Sequence, residues 1–409
     1  MSLNSTPKSV RTHIGIFGKR NSGKSSLINS LSNQDIAIVS DVKGTTTDPV
    51  FRPIEILPIG PCVLIDTAGI DDCGELGELR IKKSLDVLDK TDIALLVSDV
   101  NSGILKEDLD LIKKFKAKNI PYLIVLNKSD TTNISTRQLE EIKEKTSSNV
   151  VLSSASTNVG LDKIKEEIIK IIPKDKNESL LVSDLVEEND LVILVTPIDK
   201  SAPKGRLILP QQQVIRDCLD NNAIPIVTKE NTLRETLNSI SKKPKLVITD
   251  SQAFSEVDKE TPKDIPLTSF SILFARQKGD LNELIDGANA INNLKDGDTI
   301  LMAEGCTHHA QDDDIGRVKI PNMLKKKTGK NLNFEFSSGV SFTEDINKYS
   351  LVVHCGACMM NRKEMLSRIE KVKSHNVPIV NYGILIAFVK GILERSIEIF
   401  EGANTNDDK

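Results

Sequence analysis

The sequence predicts an α/β protein built from three successive modules. Three observations carry this. Strand-like apolar runs alternate with helix-like stretches, as in Leu191–Val195, Gln211–Asn221 and Ile224–Thr228. A glycine-rich loop separates the apolar run His13–Phe17 from an amphipathic stretch that begins at Ser26. Near the carboxyl end, cysteines and histidines directly follow apolar runs, where open α/β sheets bind their ligands. The modules are expected at residues 1–173, 180–262 and 263–409.

The first module is the most explicit. Gly18–Lys19–Arg20–Asn21–Ser22–Gly23–Lys24–Ser25 has the form G-x-x-x-x-G-K-S. Its glycines let backbone N–H groups turn inward around phosphates, and the helix that follows adds positive partial charge. Lys24 is expected to reach the β- and γ-phosphates and Ser25 to ligate Mg²⁺. Average composition gives a chance match in roughly one chain of this length in a hundred. Asp66–Thr67–Ala68–Gly69 follows the run Cys62–Ile65, where an aspartate meets Mg²⁺ through water and a glycine N–H meets the γ-phosphate. Asn127–Lys128–Ser129–Asp130 follows Tyr122–Leu126. Asp130 can accept from both N1–H and N2–H₂ of guanine, a donor pair that adenine lacks. Ser153–Ser154–Ala155 resembles the last guanine-contacting loop, although three such residues alone make an ordinary turn. In this order the motifs describe a GTPase. The expected nucleotide contacts are Gly18, Asn21, Ser22, Gly23, Lys24, Ser25, Ser26, Asp66, Gly69, Asn127, Lys128, Asp130, Ser154 and Ala155. Lys24, Thr46 and Gly69 are expected to act on the γ-phosphate.

The finer pattern resembles the GTPases related to Era, Der and MnmE. Gly44–Thr45–Thr46–Thr47–Asp48 looks like their first switch, with Thr47 where arginine is usual and Thr46 in the Mg²⁺-binding place. Ile70 stands where Ras-like enzymes carry a water-positioning glutamine, so slow hydrolysis is expected. Asn21 matches the asparagine that helps bind an activating potassium ion in the MnmE-like branch. The plainer alternative is that Asn21 merely suits the loop's backbone. Asp71 to Arg80 reads as the second switch, and Pro173 ends the last helix of the module.

Composition limits the rest. The chain has 409 residues, 39% hydrophobic and 27% charged, with net charge −4 and a pI near 5.9. No global basic field draws it to nucleic acid, and with aromatics at 3% base stacking is a poor fit. Met1 to Arg11 does not read as a signal peptide, and no run of about 18 apolar residues suggests a membrane span. A cytoplasmic protein is expected, and its six cysteines are not expected to pair. Cys62, Cys73 and Cys218 read as packing or surface thiols.

The middle module shows no chemistry. Lys174–Ser179 reads as a linker. A small parallel sheet is expected from Leu191–Val195, Ile224–Thr228 and Leu246–Thr249, with helices at Leu233–Ile240 and Gln252–Lys259. Asp199–Lys200 and Lys204–Gly205–Arg206 read as solvated loop charge. A module without chemistry between two that have it is expected to make contacts, here dimerisation. Asn119–Ile120–Pro121, Ala223–Ile224–Pro225 and Asn376–Val377–Pro378 each precede an apolar run, an echo that turn chemistry explains better than duplication.

The last module carries the metal signal. Strands are expected at Phe270–Phe274, Thr299–Ala303, Leu351–Val353 and Ile379–Val380, and helices at Leu281–Ile291 and Ile384–Leu393. Cys306–Thr307–His308 follows one strand and His354–Cys355–Gly356–Ala357–Cys358 follows another. Two residues between Cys355 and Cys358 let both turn toward one metal, and the helix start beyond them favours thiolate. Three cysteines suit zinc with a histidine, or a [4Fe–4S] cluster with a fourth position open. Spacing alone slightly favours zinc. His308 and His354 are candidates for a fourth ligand or for hydrogen bonding around the site. His309 reads as a neighbour, His13 and His375 as structural or exposed, and Lys325–Lys326–Lys327 as a solvated helix face.

A GTPase followed by Cys-x-His and then His-Cys-x-x-Cys resembles the HydF family of GTPase maturation factors for [FeFe]-hydrogenase, over the whole chain. The resemblance implies that Cys306, Cys355 and Cys358 hold a [4Fe–4S] cluster. It implies a homodimeric scaffold that receives a diiron precursor, supplied by the radical-SAM maturases HydE and HydG, and delivers it to apo-[FeFe]-hydrogenase. No nucleic-acid or membrane partner is expected. The alternative is a ribosome- or RNA-linked GTPase with a structural zinc module.

Overall fold

In the first sheet the strands β1 (Thr12–Phe17), β2 (Val50–Ile56), β3 (Gly60–Asp66), β4 (Ile93–Asp99), β5 (Tyr122–Asn127) and β6 (Val150–Leu152) lie in the order β2-β3-β1-β4-β5-β6. Only the β2–β3 hairpin is antiparallel. The computed structural model describes residues 6–33, 49–69, 83–173, 180–197, 207–305, 314–339, 342–343, 345–358 and 360–401. They fall into two compact units, 1–175 and 176–409.

Strand alternation builds the first unit. Ile14, Ile16, Leu95, Val97, Leu123 and Val125 face one way and pack on the helices Lys24–Asn33 and Leu161–Ile171. Phe17, Leu96, Ile124 and Leu126 face the other way, onto Leu111, Ile112 and Phe115 of the helix Lys106–Ala117. Both faces are covered, which is why these strands read as continuous apolar runs. His13 is buried within β1, and burial pulls its imidazole down to about 4.

The second unit holds two parallel sheets with one continuous core. The first contains β7 (Leu191–Val195), β8 (Ile224–Thr228), β9 (Leu246–Thr249) and β10 (Leu267–Ser269), in the order β10-β9-β7-β8. The other contains β11 (Thr299–Glu304), β12 (Asn333–Ser338), β13 (Leu351–His354) and β14 (Ile379–Asn381), in the order β12-β11-β13-β14. The plan is the same in both: the second strand lies outside the first, and the third and fourth lie on its other side. The chain therefore changes direction between the first and third strands, and open α/β sheets bind ligands at such a point. In the last sheet it falls between β11 and β13.

Three expectations need correction. Phe270–Phe274 is not a strand but the start of the helix Phe270–Lys278, which Ser269 caps by accepting from the N–H of Ile272 at 3.2 Å. Six of its nine residues are buried and none is exposed, so no clear helical periodicity marks the sequence. The strand is the preceding Leu267–Ser269, so the second sheet extends past residue 262. The helix expected over Ile384–Leu393 is two, Tyr382–Lys390 and Leu393–Glu401, divided by Gly391 at φ +75°. β12 had no expectation: it is an edge strand with four of its six residues exposed and none buried.

Lys325, Lys326 and Lys327 end the helix Ile320–Thr328 and are exposed. The linker Lys174–Ser179 and the charged residues Asp199, Lys200, Lys204 and Arg206 lie outside the described residues. Among the described residues no helix is long and apolar enough to cross a membrane.

Candidate functional site

The phosphate loop begins where β1 ends. Gly18 has φ +144°, and a Cβ on it would lie 2.1 Å from the carbonyl oxygen of Val97. Only glycine lets the loop pass so close to β4. Lys24, the first residue of its helix, is buried, and its Nζ donates to the carbonyls of Gly18 at 2.9 Å and Lys19 at 2.7 Å. Its charge is thus held inside the loop, ready for phosphate oxygens. Ser22 is buried and Asn21 has φ +62°, a conformation asparagine tolerates.

The Mg²⁺ half of the site is equally organised. Ser25 Oγ donates to Asp66 Oδ2 at 2.7 Å. Asp66 Oδ1 is buried with no hydrogen-bond partner. Burial pushes this carboxyl above the usual range, and Ser25 and Lys24 oppose the shift. A hydroxyl beside an unsatisfied carboxylate oxygen suits a hydrated divalent cation.

The base-binding motifs are joined to the phosphate loop through one amide. Asn127 is buried at the end of β5. Its Nδ2 donates to Ser22 O at 3.0 Å and its Oδ1 accepts from Ala155 N at 3.2 Å. Asp130 is exposed and accepts from Ser154 Oγ at 2.6 Å, a bond that holds its carboxyl below the ordinary range. Ser154 thereby orients a carboxylate that could accept from N1–H and N2–H₂ of a guanine. Sequence reasoning missed Asp99, at the end of β4, which accepts from Lys128 Nζ at 2.7 Å. Burial disfavours its ionised form, but Lys128 and Asn101 outweigh this, so its carboxyl sits below the usual range. An aspartate closing an apolar strand beside the Asn127–Asp130 strand was the available signal. A cavity of about 230 Å³ lined by Lys19, Asn21, Asp99 and Lys128 lies alongside. Thr46, Ile70 and the stretch Asp71 to Arg80 lie outside the described residues.

The cysteine site forms at the ends of β11 and β13. Cys355 N donates to Ala303 O at 2.9 Å, and Gly305 N donates to Cys355 Sγ at 3.1 Å. A Cβ on Gly305 would lie 2.5 Å from Met360 Sδ, so a side chain here would have to displace the Met360 thioether. Cys306 follows Gly305 in sequence, but Cys306, His308 and His309 lie outside the described residues, as does Cys73. Among the described residues no three metal-binding side chains cluster. Cys355 and Cys358 are partly exposed thiols, whereas Cys62 and Cys218 are buried. Burial pushes Cys62 up to about 11 and Cys218 up to about 12, as packing thiols require.

His354 is fully buried, with both ring nitrogens committed. Nε2 faces Arg368 Nη1 at 3.1 Å, and since guanidinium only donates, Nε2 accepts. Nδ1 then carries the proton and donates to Cys355 O at 2.8 Å. This geometry suits His354 to orienting the loop. Ala357 has φ +51°, a left-handed conformation that costs an alanine roughly 1 kcal/mol or more. Lys278 is buried against this loop, and burial pulls it down to about 8 against the opposing pull of Cys358 and Cys355. Nothing in the sequence distinguished it from other helical lysines.

Comparison with known proteins matches each part of the chain. A profile described as a 50S ribosome-binding GTPase matches residues 13–128. The hydrogen maturase F dimerization domain matches 181–279 and the hydrogen maturase F tetramerization domain matches 282–399, together more than half of the chain. The tRNA modification GTPase MnmE of Desulforamulus reducens is 36% identical over 175 residues, covering 41% of this chain and 37% of that protein. MnmE of Thermotoga maritima is 40% identical over 159 residues, 38% of this chain and 34% of that protein. The chain thus spans little more than a third of either relative. Among solved structures, Aquifex aeolicus Era bound to GDP.AlF4⁻ is 19% identical with TM-score 0.35, covering 60% of this chain and 97% of Era.

Proposed function

The chain belongs to the hydrogen maturase F family, and from that membership we propose that it is a maturation factor for [FeFe]-hydrogenase: a GTP-hydrolysing iron–sulfur scaffold that receives a diiron precursor and delivers it to the apo-enzyme. The observation that supports this most is the bond from Gly305 N to Cys355 Sγ, which sets the residue before Cys306 against the Cys355–Cys358 pair. Soft sulfur ligands with an N–H donor on sulfur fit an iron–sulfur cluster. Cys306, Cys355 and Cys358 would hold a [4Fe–4S] cluster, with His354 holding the loop and His308 left as a candidate fourth ligand. Such a cluster would supply an iron position at which a precursor can attach.

In the GTPase domain Lys24 steadies the phosphates, and Ser25 with Asp66 holds the Mg²⁺ position. Thr46 would complete the cation's ligands and Gly69 would meet the γ-phosphate. Asn21 would bind an activating K⁺. GTP would act on partner affinity, as a coupling between sites, and not on iron chemistry. HydE and HydG would supply the precursor. β8 is an exposed sheet edge with Ile224 and Val227 at 45% and 46% exposure, which suits pairing with a second copy in a cytoplasmic homodimer. The modules would be a GTPase domain to residue 173, a dimerisation domain to about 280, and a cluster domain beyond.

Anaerobically purified protein is expected to be brown and to contain iron and sulfide. Colourless protein with one zinc would instead favour a ribosome- or RNA-linked GTPase with a structural metal. Phosphate release is expected to be faster in K⁺ than in Na⁺ at equal ionic strength. Equal rates would remove the potassium role from Asn21.

A further inference from the structure

The loop from Cys355 to Met360 leaves β13 through two backbone hydrogen bonds among the described residues. Cys355 N donates to Ala303 O and Met360 N to Ala357 O, and between them Ala357 is held left-handed. Lys278 adds a restraint from outside the loop. It is the last residue of the helix Phe270–Lys278 and is 5% exposed. Its Nζ donates to Ala357 O at 3.0 Å, Cys358 O at 3.3 Å and Met360 O at 2.9 Å. An ammonium has three hydrogens, and here three loop carbonyls receive them. The join is reciprocal: Arg362, the first residue of the next helix, donates from Nη1 to the carbonyls of Gln277 at 3.0 Å and Gly279 at 3.3 Å.

We propose that Lys278 is the positioning residue of the cysteine loop, holding Ala357 left-handed and so fixing the backbone that carries Cys355 and Cys358. The lysine lies within residues 181–279, matched by the dimerization domain, and the loop within 282–399, matched by the tetramerization domain. The metal site is therefore built across two modules, with its backbone clamp supplied by the one that holds none of its cysteines. Burial of a lysine is costly unless all its hydrogens are bonded, and a side chain serving only as packing would not need its charge there. In bearing on metal, the proposal rests on the reading under Proposed function.

The test is hydrogen–deuterium exchange over residues 355–361 of the full-length, metal-free chain. It compares the parent with Lys278→Met, Lys278→Gln and Lys278→Met/Ala357→Gly. Both single variants are expected to exchange about tenfold faster or more there, the scale of lost charge-assisted hydrogen bonds. The double variant is expected to return toward the parent, because glycine adopts the left-handed conformation without strain. Unchanged exchange in a folded single variant overturns the proposal. So does a double variant as fast as Lys278→Met. If neither single variant folds, folding of the double supports the clamp, and failure of all three overturns it. After anaerobic reconstitution with iron and sulfide, Lys278→Met is expected to take up less iron per chain and to lose it faster to a chelator. Full retention despite a loosened loop overturns the link to metal. If the parent itself takes up no iron–sulfur group, the functional reading fails, while exchange still decides the role of Lys278.

Discussion

An Asp130→Asn chain is expected to bind GTP about 10⁴-fold more weakly than the parent, the discrimination typical of a site built around a hydrogen-bonding group and deprived of its match. The carboxylate can accept from N1–H and N2–H₂ of guanine together. Asparagine offers one acceptor and one donor, and the donor meets the N2 amine head-on. Fold damage is not the cause to expect, since Asp130 is exposed and asparagine can still accept from Ser154 Oγ. Titration with a fluorescent guanine nucleotide measures the loss. Xanthosine triphosphate supplies the positive control, since its C2 oxygen accepts what the amide donates. The variant should bind that nucleotide better than it binds GTP. Unaltered GTP affinity would remove Asp130 from base recognition.

A Cys355→Ser/Cys358→Ser chain is expected to lose its iron–sulfur group entirely under the same anaerobic reconstitution. Serine is nearly isosteric but is a poor ligand for iron compared with a thiolate. Both cysteines are partly exposed at the end of β13, so the melting temperature of the metal-free chain should change little. GTP hydrolysis by the metal-free chain should be unchanged. Iron, sulfide and visible absorption report the outcome. A normal iron–sulfur spectrum in the double variant would end the assignment of these two residues as ligands.

How far the sequence was legible depended on whether a residue's work is local. The phosphate loop, Asp66 and Asn127–Asp130 are local signals, since each is a strand end followed by a turn whose chemistry needs its residue types at fixed spacing. The structure brings Lys24, Ser25, Asp66, Asn127 and Ala155 into one connected set. The echo of asparagine, apolar residue and proline also proved local. Asn119 and Asn376 are left-handed after their helices, and so is Asn222, the residue before the second echo. The next residues, Ile120, Ala223 and Val377, donate back to Phe115, Cys218 and Val372. Each is a helix cap, and the strands that follow occupy different places in their sheets. What stayed hidden is non-local. Lys278 meets the cysteine loop across 79 residues of sequence, and Asp99 meets Lys128 across 29. The Phe270–Phe274 error has a related cause: burial on every side erases the period that tells helix from strand.

The end of β13 separates two environments within a single peptide link. His354 is sealed from solvent, and Cys355 beside it is not. Anything bound by the sulfurs therefore has a dry floor and a wet face. The floor's imidazole and buried ammonium hydrogen-bond to the backbone that carries the sulfurs, and its guanidinium to that imidazole. On the wet face a partner can reach the load without prising open the β-sheet beneath. On the function proposed above, arrival and departure of a load would need only a surface encounter.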